Sequence, residues 1–141
     1  MMIFFRAVST FLIMFFATTI VYPCTCEILK PKKKLKKATA VFIGEVIEIG
    51  HNDKDSSVSV AVKFKVEEYW KGIREPYISI VTEPAVCCTC GLKVEAGKRY
   101  LIYAFALENG QLETSLCASA AVDSERSVDE LKVLGKGKHL K

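Results

Sequence analysis

The triplet Cys24-Thr25-Cys26 directly follows an apolar leader, and it constrains the fold of this 141-residue chain more than any other feature. Two half-cystines separated by one residue can hold the start of a chain against a folded body at two points. The six cysteines all lie beyond the leader, at positions 24, 26, 87, 88, 90 and 117. An even number in a small exported domain predicts disulfides formed in an oxidising compartment, although six cysteines alone permit fifteen pairings.

The leader has the pattern of a secretory signal. Arg6 provides a basic start, and an uncharged, mainly apolar run extends from Ala7 to Val21. A run of about 15 residues suits the apolar region of a signal peptide, whereas a membrane span requires roughly 20. We therefore expect residues 1–23 to be a signal peptide and the protein to be secreted, or periplasmic or cell-surface in a bacterium. A retained anchor is the alternative.

Two cleavage sites compete at the end of the leader. Cleavage before Cys24 places Pro23 at position −1, where small residues are usual. Cleavage after Thr19, with Ala17 at position −3, leaves residues 20–23 in front of the triplet. Only the first site exposes the α-amine of Cys24 beside its own carbonyl, and such a pair of atoms can chelate a metal.

Length and charge limit the classes of protein to consider. Residues 24–141 suit one domain, and no repeat or linker divides them. The chain has 20 basic and 16 acidic residues, and loss of Arg6 with the leader leaves a charge of about +3, which is too small to predict a nucleic-acid partner. No Ser/His/Asp set, Gly-rich phosphate loop or paired acid motif is present, so we do not expect an enzyme.

The segment from Val58 to Val66 has the clearest periodicity in the chain. Its apolar residues occupy positions 58, 60, 62, 64 and 66, which predicts a strand with one buried and one solvated face. The other predicted strands are Ala40–Ile49 (with a bulge at Gly44), Tyr77–Val81, Gly97–Ala106 and Gln111–Cys117, the last two joined by a two-residue type I′ turn at Asn109-Gly110. Five strands and two peripheral helices in about 118 residues predict a mainly β fold, a small closed antiparallel barrel.

The two predicted helices flank the strands. Pro31 suits the first turn of a helix in which Leu35 and Ala38 face inward. Ser127 and Glu130 have the spacing of a capping box, which predicts a second helix beginning at Ser127. The last five residues are expected to fray.

Six lysines are concentrated around the first helix: Lys30, Lys32, Lys33, Lys34, Lys36 and Lys37. Such a cluster attracts extracellular polyanions, for example matrix glycosaminoglycans or acidic lipid. A solvated helix face without a partner is the alternative.

Six short motifs occur in order along residues 24–141. They are the Cys24-Thr25-Cys26 triplet, VFIGEV at Val41–Val46, WKG at Trp70–Gly72, CG at Cys90–Gly91, GKRYLIYA at Gly97–Ala104, and Cys117 after a hairpin. The ordered set resembles the netrin-like family, and within it the inhibitory domain of the tissue inhibitors of metalloproteinases. The resemblance implies an OB-type five-stranded barrel and the disulfides Cys24–Cys90 and Cys26–Cys117.

The resemblance also implies inhibition of a zinc metalloendopeptidase, with no cofactor of the protein's own. A catalytic zinc of this kind has three protein ligands and an open position. The α-amine and carbonyl of Cys24 would bind the protease's zinc there, Thr25 would enter the adjacent specificity pocket, and Cys26 would complete the contact. Cys88 and Thr89 hold the positions of a second contact strip.

Cys87 and Cys88 have no counterpart in the family pattern. They are expected to bridge each other, to compete with Cys90 for Cys24, or to remain free. Two other functions stay open besides inhibition. One is a secreted netrin-like binding module that holds polyanions through its lysines, and the other is a thiol or metal site at residues 87–90.

Overall fold

The computed structural model describes residues 24–52, 59–85 and 89–141. In chain order these form helix α1 (Pro31–Lys37), strands β1 (Ala40–His51), β2 (Val60–Lys71), β3 (Tyr77–Thr82), β4 (Arg99–Ala106), β5 (Leu112–Glu113) and β6 (Ala120–Ala121), and helix α2 (Glu125–Leu134). The predicted signal peptide, Val58, Cys87 and Cys88 lie outside the described residues. Neither described helix has the length and hydropathy needed to cross a membrane.

Five strands close into a barrel in the order β1-β2-β3-β5-β4, and β4 pairs with β1. The mainly β fold, the closed barrel and the two peripheral helices are therefore confirmed. The prediction that all strands are antiparallel is wrong, because β3 and β5 pair in parallel at Val81 and Glu113. Strand directions cannot alternate all the way round a closed ring of five, so at least one neighbouring pair must be parallel.

Strand β1 pairs with β2 along one edge and with β4 along the other, and it bends to do so. Its register with β2 shifts between Ile43 and Gly44, which confirms the irregularity predicted at Gly44. A Cβ at Gly44 would lie 3.0 Å from the side chains of both Phe42 and Phe64. The glycine therefore allows β1 to curve closely round the core.

The alternation along β2 separates the barrel interior from its surface. Val62 and Phe64 are buried and Lys63 and Lys65 are exposed, which confirms the predicted strand over its described part. The ring of Phe64 meets Phe42 of β1 edge to face, with ring centroids 5.6 Å apart. These side chains belong to the main core inside the barrel.

A second apolar cluster lies between the barrel wall and the two helices. Its buried residues are Ala38, Val41, Ile43, Leu101 and Tyr103, with Leu35, Trp70, Leu131 and Leu134 packed against them. The inward positions predicted for Leu35 and Ala38 are thus confirmed. The indole N–H of Trp70 donates to the carbonyl oxygen of Gly135 at 3.1 Å, and this bond joins the end of β2 to the end of α2.

The N-cap of helix α2 lies three residues earlier than the capping-box pattern predicts. Ser124 is the N-cap, and its hydroxyl oxygen accepts a hydrogen bond from the Ser127 N–H at 3.3 Å. Ser127 and Glu130 are both buried, and the Glu130 carboxylate pairs with Lys34. The predicted capping box is wrong because tertiary contacts occupy both of its side chains.

The hairpin between β4 and β5 is shifted from its predicted register. The Gly110 N–H donates to the Leu107 carbonyl oxygen at 3.0 Å, so the turn comprises residues 107–110. Asn109 and Gly110 are therefore not its central pair. The Asn109 side chain accepts from the Gln111 N–H at 2.9 Å, which favours the observed turn. The following strand is also shorter than predicted, because β5 contains two residues.

The C-terminal segment is attached to the barrel, so the predicted fraying is wrong. Tyr69 of β2 and Lys138 exchange two backbone hydrogen bonds of 2.9 and 2.7 Å. The Gly137 N–H donates to the Glu68 carboxylate at 2.6 Å. Leu140 packs against the main core.

Candidate functional site

Two disulfides attach the triplet to the body of the barrel. Cys24 pairs with Cys90 across a Cα–Cα distance of 5.8 Å, and Cys26 pairs with Cys117 across 5.2 Å. These are the two pairs that the family resemblance implies. The triplet itself lies in an irregular segment before α1. Cys24 and Cys26 are half-buried, whereas Thr25 between them is exposed.

The two bridges are neighbours in space. The sulfur atoms of Cys24, Cys90 and Cys117 lie within 4.8 Å of one another. Zinc binds thiolate sulfur, and all three sulfurs are in disulfides, so they provide no thiolate ligand in this oxidised form. The thiol or metal site predicted at residues 87–90 therefore lacks Cys90 as a free thiol.

Cys90 is positioned by the chain that precedes it. Its N–H donates to the Glu83 carboxylate at 3.2 Å, and the Thr89 hydroxyl donates to the Pro84 carbonyl oxygen. Gly91 is buried so tightly that a Cβ there would lie 2.0 Å from the Glu83 carbonyl oxygen. The missing side chain allows the backbone at Gly91 to lie close to the end of β3.

The loop that carries Cys117 is held from two directions. The Leu116 N–H donates to the carbonyl oxygen of Cys90 at 3.0 Å, which links the two bridged segments directly. Arg126 of α2 donates to the Leu116 carbonyl oxygen at 2.9 Å and also to the Ser119 carbonyl oxygen. Helix α2 therefore helps to position Cys117, and the contacts made by Glu83 and Pro84 help to position Cys90.

The two residues after the triplet are exposed to solvent. Glu27 is exposed and the side chain of Ile28 is 96% exposed, before the chain enters α1. We call residues 24–28 the N-terminal ridge. It has one charged side chain, Glu27, and its exposed apolar residue lies four positions after the first cysteine.

The structure brings most of the predicted contact residues together. Thr89 is half-buried next to Cys90, so the bridge to Cys24 places it beside the N-terminal ridge. Cys88 lies outside the described residues. Sequence reasoning missed Glu83 and Arg126, because no local pattern at either position indicates a contact with a cysteine-bearing loop.

Five of the six lysines near α1 are exposed: Lys30, Lys32, Lys33, Lys36 and Lys37. None of the five forms an ion pair within the described part of the chain. Lys34 is the exception, because its ammonium group is buried and contacts the Glu130 carboxylate at 2.5 Å. Its assignment to a polyanion-binding surface is therefore wrong.

Two further lysines extend the cationic surface. The Lys71 ammonium donates to the carbonyl oxygens of Lys36 at 3.0 Å and Ala38 at 2.6 Å, where it complements the negative end of α1. The adjacent Trp70 binds the Gly135 carbonyl, so the C-terminal ends of both helices meet at the end of β2. Lys136 is exposed and follows Gly135 in the chain. We call Lys71, Lys136 and the five exposed lysines around α1 the lysine surface.

Comparison of the whole chain with models of known protein families finds no match, and a search of curated proteins finds no significant relative. The function must therefore be inferred from the residues and the geometry of the N-terminal ridge, the bridged cysteines and the lysine surface.

Proposed function

We propose that the protein is a secreted inhibitor of zinc metalloendopeptidases, which binds the target's catalytic zinc through the backbone of Cys24. The observation that carries this proposal is the exposed Thr25 between two half-cystines, each bridged to a different loop. A doubly attached segment loses little conformational entropy when it enters a protease cleft, so more of its contact energy appears as affinity.

The mechanism requires no catalytic step by this protein. With cleavage before Cys24, the α-amine nitrogen and the carbonyl oxygen of that residue would close a five-membered chelate on the open coordination position of the zinc and displace its water. An α-amine titrates near pH 8 (about 7.7–8.0), so its lone pair is accessible at neutral pH. Thr25 would point into the adjacent specificity pocket, and Thr89 would add a second contact.

The fold and the bridges support membership of the netrin-like family. The barrel order β1-β2-β3-β5-β4 with one parallel pair is compatible with an OB-type barrel. Disulfides indicate an oxidising compartment, which agrees with secretion.

Inhibition assays with defined starting residues test this proposal. The chain that begins at Cys24 should inhibit cleavage of a quenched fluorescent peptide by at least one member of a panel of zinc metalloendopeptidases. One alanine added before Cys24 should abolish inhibition, because it moves the amine away from the chelating carbonyl. Acetylation of the amine should have the same effect.

An alanine added after Lys141 is the matched control, and it should leave inhibition unchanged. Equal inhibition by both extended chains would contradict the chelation mechanism. The intact mass of the exported protein gives the natural start, and a start at Ile20 would favour a binding module in place of an inhibitor.

A second candidate function is polyanion binding through the lysine surface. It is favoured by the five exposed lysines around α1, which have no ion-pair partner among the described residues. A cationic patch of this kind attracts sulfated polysaccharide, and the attraction weakens as salt rises.

Elution from heparin-agarose measures this attraction. Replacing four lysines of the surface with alanine should lower the eluting salt concentration: Lys32, Lys33, Lys36 and Lys37. The matched control replaces four exposed lysines outside it: Lys63, Lys65, Lys93 and Lys98. Equal shifts in both variants would show that only net charge matters and would remove the lysine surface as a site.

A further inference from the structure

The two disulfides lie next to each other, which neither proposed function requires. The sulfur of Cys117, from one bridge, lies within 4.8 Å of both sulfurs of the other bridge, Cys24 and Cys90. The fourth sulfur, that of Cys26, is bonded to Cys117. We call these four residues the cysteine cluster. The proposed inhibitor uses the backbone of Cys24 and not its sulfur, so the proximity of the bridges calls for a separate explanation.

The spacing of these sulfurs is close to that of a metal centre with four thiolate ligands. Structural zinc binds thiolates at about 2.3 Å in a tetrahedron, which places the sulfurs about 3.8 Å apart. When the bridges open, the bonded sulfurs can separate toward that distance. The Cys117 sulfur already lies within 4.8 Å of those of Cys24 and Cys90. Small side-chain rotations therefore suffice to surround one ion.

Two of the four cysteines, Cys90 and Cys117, are positioned by hydrogen bonds that are separate from the bridges. The Leu116 N–H donates to the Cys90 carbonyl oxygen at 3.0 Å, which holds the two segments side by side. The Cys90 N–H donates to the Glu83 carboxylate at 3.2 Å, and Arg126 donates to the Leu116 carbonyl oxygen at 2.9 Å. Ligands that are already held together bind an ion at a smaller cost in conformational entropy.

The other two cysteines, Cys24 and Cys26, share one short segment. One residue separates them, and the chain enters α1 at Pro31. Helix α1 is attached to the barrel wall by Ala38, which is buried, and by Leu35. Reduction of the bridges therefore leaves both thiols on a short tether, which keeps their effective concentration near Cys90 and Cys117 high.

The cysteine cluster can be reached from solvent. All four residues are half-buried. A cleft of about 530 Å³ between the N-terminal ridge and the two helices is lined by Cys26 and Cys117, and a cavity of about 270 Å³ is lined by Cys90. Arg126 lines the larger cleft as well, and its guanidinium would offset part of the negative charge of a zinc tetrathiolate.

We propose that the reduced chain binds one zinc ion through the cysteine cluster, in place of the two disulfides. A dithiol that opens a bridge supplies two electrons and two protons to its sulfurs and becomes a disulfide itself. Before the bridges have formed, this step is not needed. The four thiols then release their protons to solvent as zinc binds the thiolates. The ion joins the N-terminal ridge to the loops of Cys90 and Cys117, as the disulfides do in the oxidised chain.

Cobalt titration of chain 24–141, reduced with a phosphine in the absence of oxygen, tests this proposal. One equivalent of Co²⁺ should produce the visible absorption bands of a tetrahedral cobalt thiolate, and Zn²⁺ should displace the cobalt and remove the bands. The disulfide-bonded chain should give no bands. The zinc-bound chain should have the dispersed amide NMR spectrum of the folded barrel, with differences from the oxidised chain concentrated around the cysteine cluster.

Variants separate this site from other thiols and from an unfolded chain. Cys90→Ser should weaken Co²⁺ binding strongly, whereas Cys87→Ser/Cys88→Ser should retain it. Arg126→Ala should weaken binding about tenfold, the usual effect of losing a group that orients a metal ligand. Lys132→Ala is the matched control, because it removes an exposed cation from the same helix and should leave the affinity unchanged.

One alanine added before Cys24 should retain metal binding while it abolishes inhibition, so the failure of either proposal can be recognised separately. Absence of the cobalt bands would overturn the zinc site, as would a zinc-bound chain without a dispersed spectrum. Loss of the bands in Cys87→Ser/Cys88→Ser would place the ion at residues 87–90 instead. Equal affinities of Arg126→Ala and the unaltered chain would show that the folded arrangement of the cysteines does not matter, and would also overturn it.

Discussion

At the residue scale, one buried group of polar side chains lies beneath the two helices. The Lys34 ammonium contacts the Glu130 carboxylate at 2.5 Å and the Ala118 carbonyl oxygen at 3.3 Å, and it lies 4.5 Å from the centroid of the Tyr103 ring. These contacts join α1, α2 and β4 at one point. A buried ion pair adds little net stability, but its loss on one side leaves an uncompensated charge.

We predict that Lys34→Met lowers the free energy of unfolding by about 3–5 kcal/mol at pH 7, because Glu130 is left buried without its cation. The double variant Lys34→Met/Glu130→Leu should recover most of that loss. Urea denaturation measures both changes. The matched control is Lys132→Met, which breaks an exposed pair with Asp129 and should change stability by less than about 1 kcal/mol. Equal losses in the two single variants would contradict the buried pair's role.

The Tyr103 phenol belongs to the same group and makes stability depend on pH. Its oxygen is buried and has no hydrogen-bond partner among the described residues. Burial raises the pKa of this phenol well above its usual value near 10, and the negative charge of Glu130 raises the pKa further. The folded state therefore retains the proton at pH values where the unfolded chain releases it.

We predict that the free energy of unfolding falls by about 1.4 kcal/mol per pH unit above pH 10 on account of Tyr103. The sign follows from the raised pKa: the contribution is fully present below pH 10 and is lost above it. Denaturation curves between pH 9 and 11 measure the slope. Tyr103→Phe removes this titration, so the free energy of unfolding of the variant should fall less steeply with pH by that amount. An unchanged slope would refute the assignment.

At the scale of elements, residues 83–85 and 89–92 join the barrel to the N-terminal ridge. The Leu92 N–H donates to the Thr82 hydroxyl at 2.9 Å, and Gly91 packs against the Glu83 carbonyl. Residues 91 and 92 therefore lie close to the end of β3 and place the preceding Cys90 at its bridge with Cys24.

We predict that Gly91→Ala destabilises the fold by about 2 kcal/mol or more, because its Cβ would lie 2.0 Å from the Glu83 carbonyl oxygen. Gly50→Ala is the matched control, since nothing lies within 4 Å of a Cβ there, and its effect should be within about 1 kcal/mol. Thermal or urea unfolding compares them. Similar stabilities would contradict the close packing at Gly91.

At the scale of the whole molecule, both ends of the described chain are attached to the barrel. Disulfides hold the N-terminal ridge, and hydrogen bonds to β2 hold the C-terminal segment. The bridges close sequence separations of 66 and 91 residues, so they restrict the unfolded chain strongly. A small β domain with a modest core gains much of its stability in this way.

We predict that Cys26→Ser/Cys117→Ser lowers the free energy of unfolding by about 2–5 kcal/mol, the usual cost of a native bridge in a small secreted domain. Urea denaturation gives the change. Mass mapping of peptides checks that Cys24–Cys90 still forms in this variant, so that the loss reports one bridge. An unchanged midpoint would mean that the second bridge does not constrain the unfolded state.

The sequence by itself determined the class and the main strands. The alternation of β2 and the apolar content of β1 and β4 are local signals, because burial on one face of a strand repeats every two residues. Gly44 likewise predicted the bend in β1, because a glycine inside a strand has no side chain to pack. The implied cysteine pairs came from the family resemblance, since spacing alone left fifteen choices.

Only the tertiary structure decided the rest, because those features depend on residues far apart in the chain. Closing a ring of five strands made the β3–β5 pair parallel. Packing of the two helices against each other buries Lys34, although its neighbouring lysines are exposed. It also pairs Glu130 with Lys34, so that Glu130 does not form the predicted capping box. Asn52 and Gln111, which are 59 residues apart in the chain, likewise form a hydrogen bond only in the folded barrel. No local pattern encodes such meetings, since they follow from strand order and from helix packing.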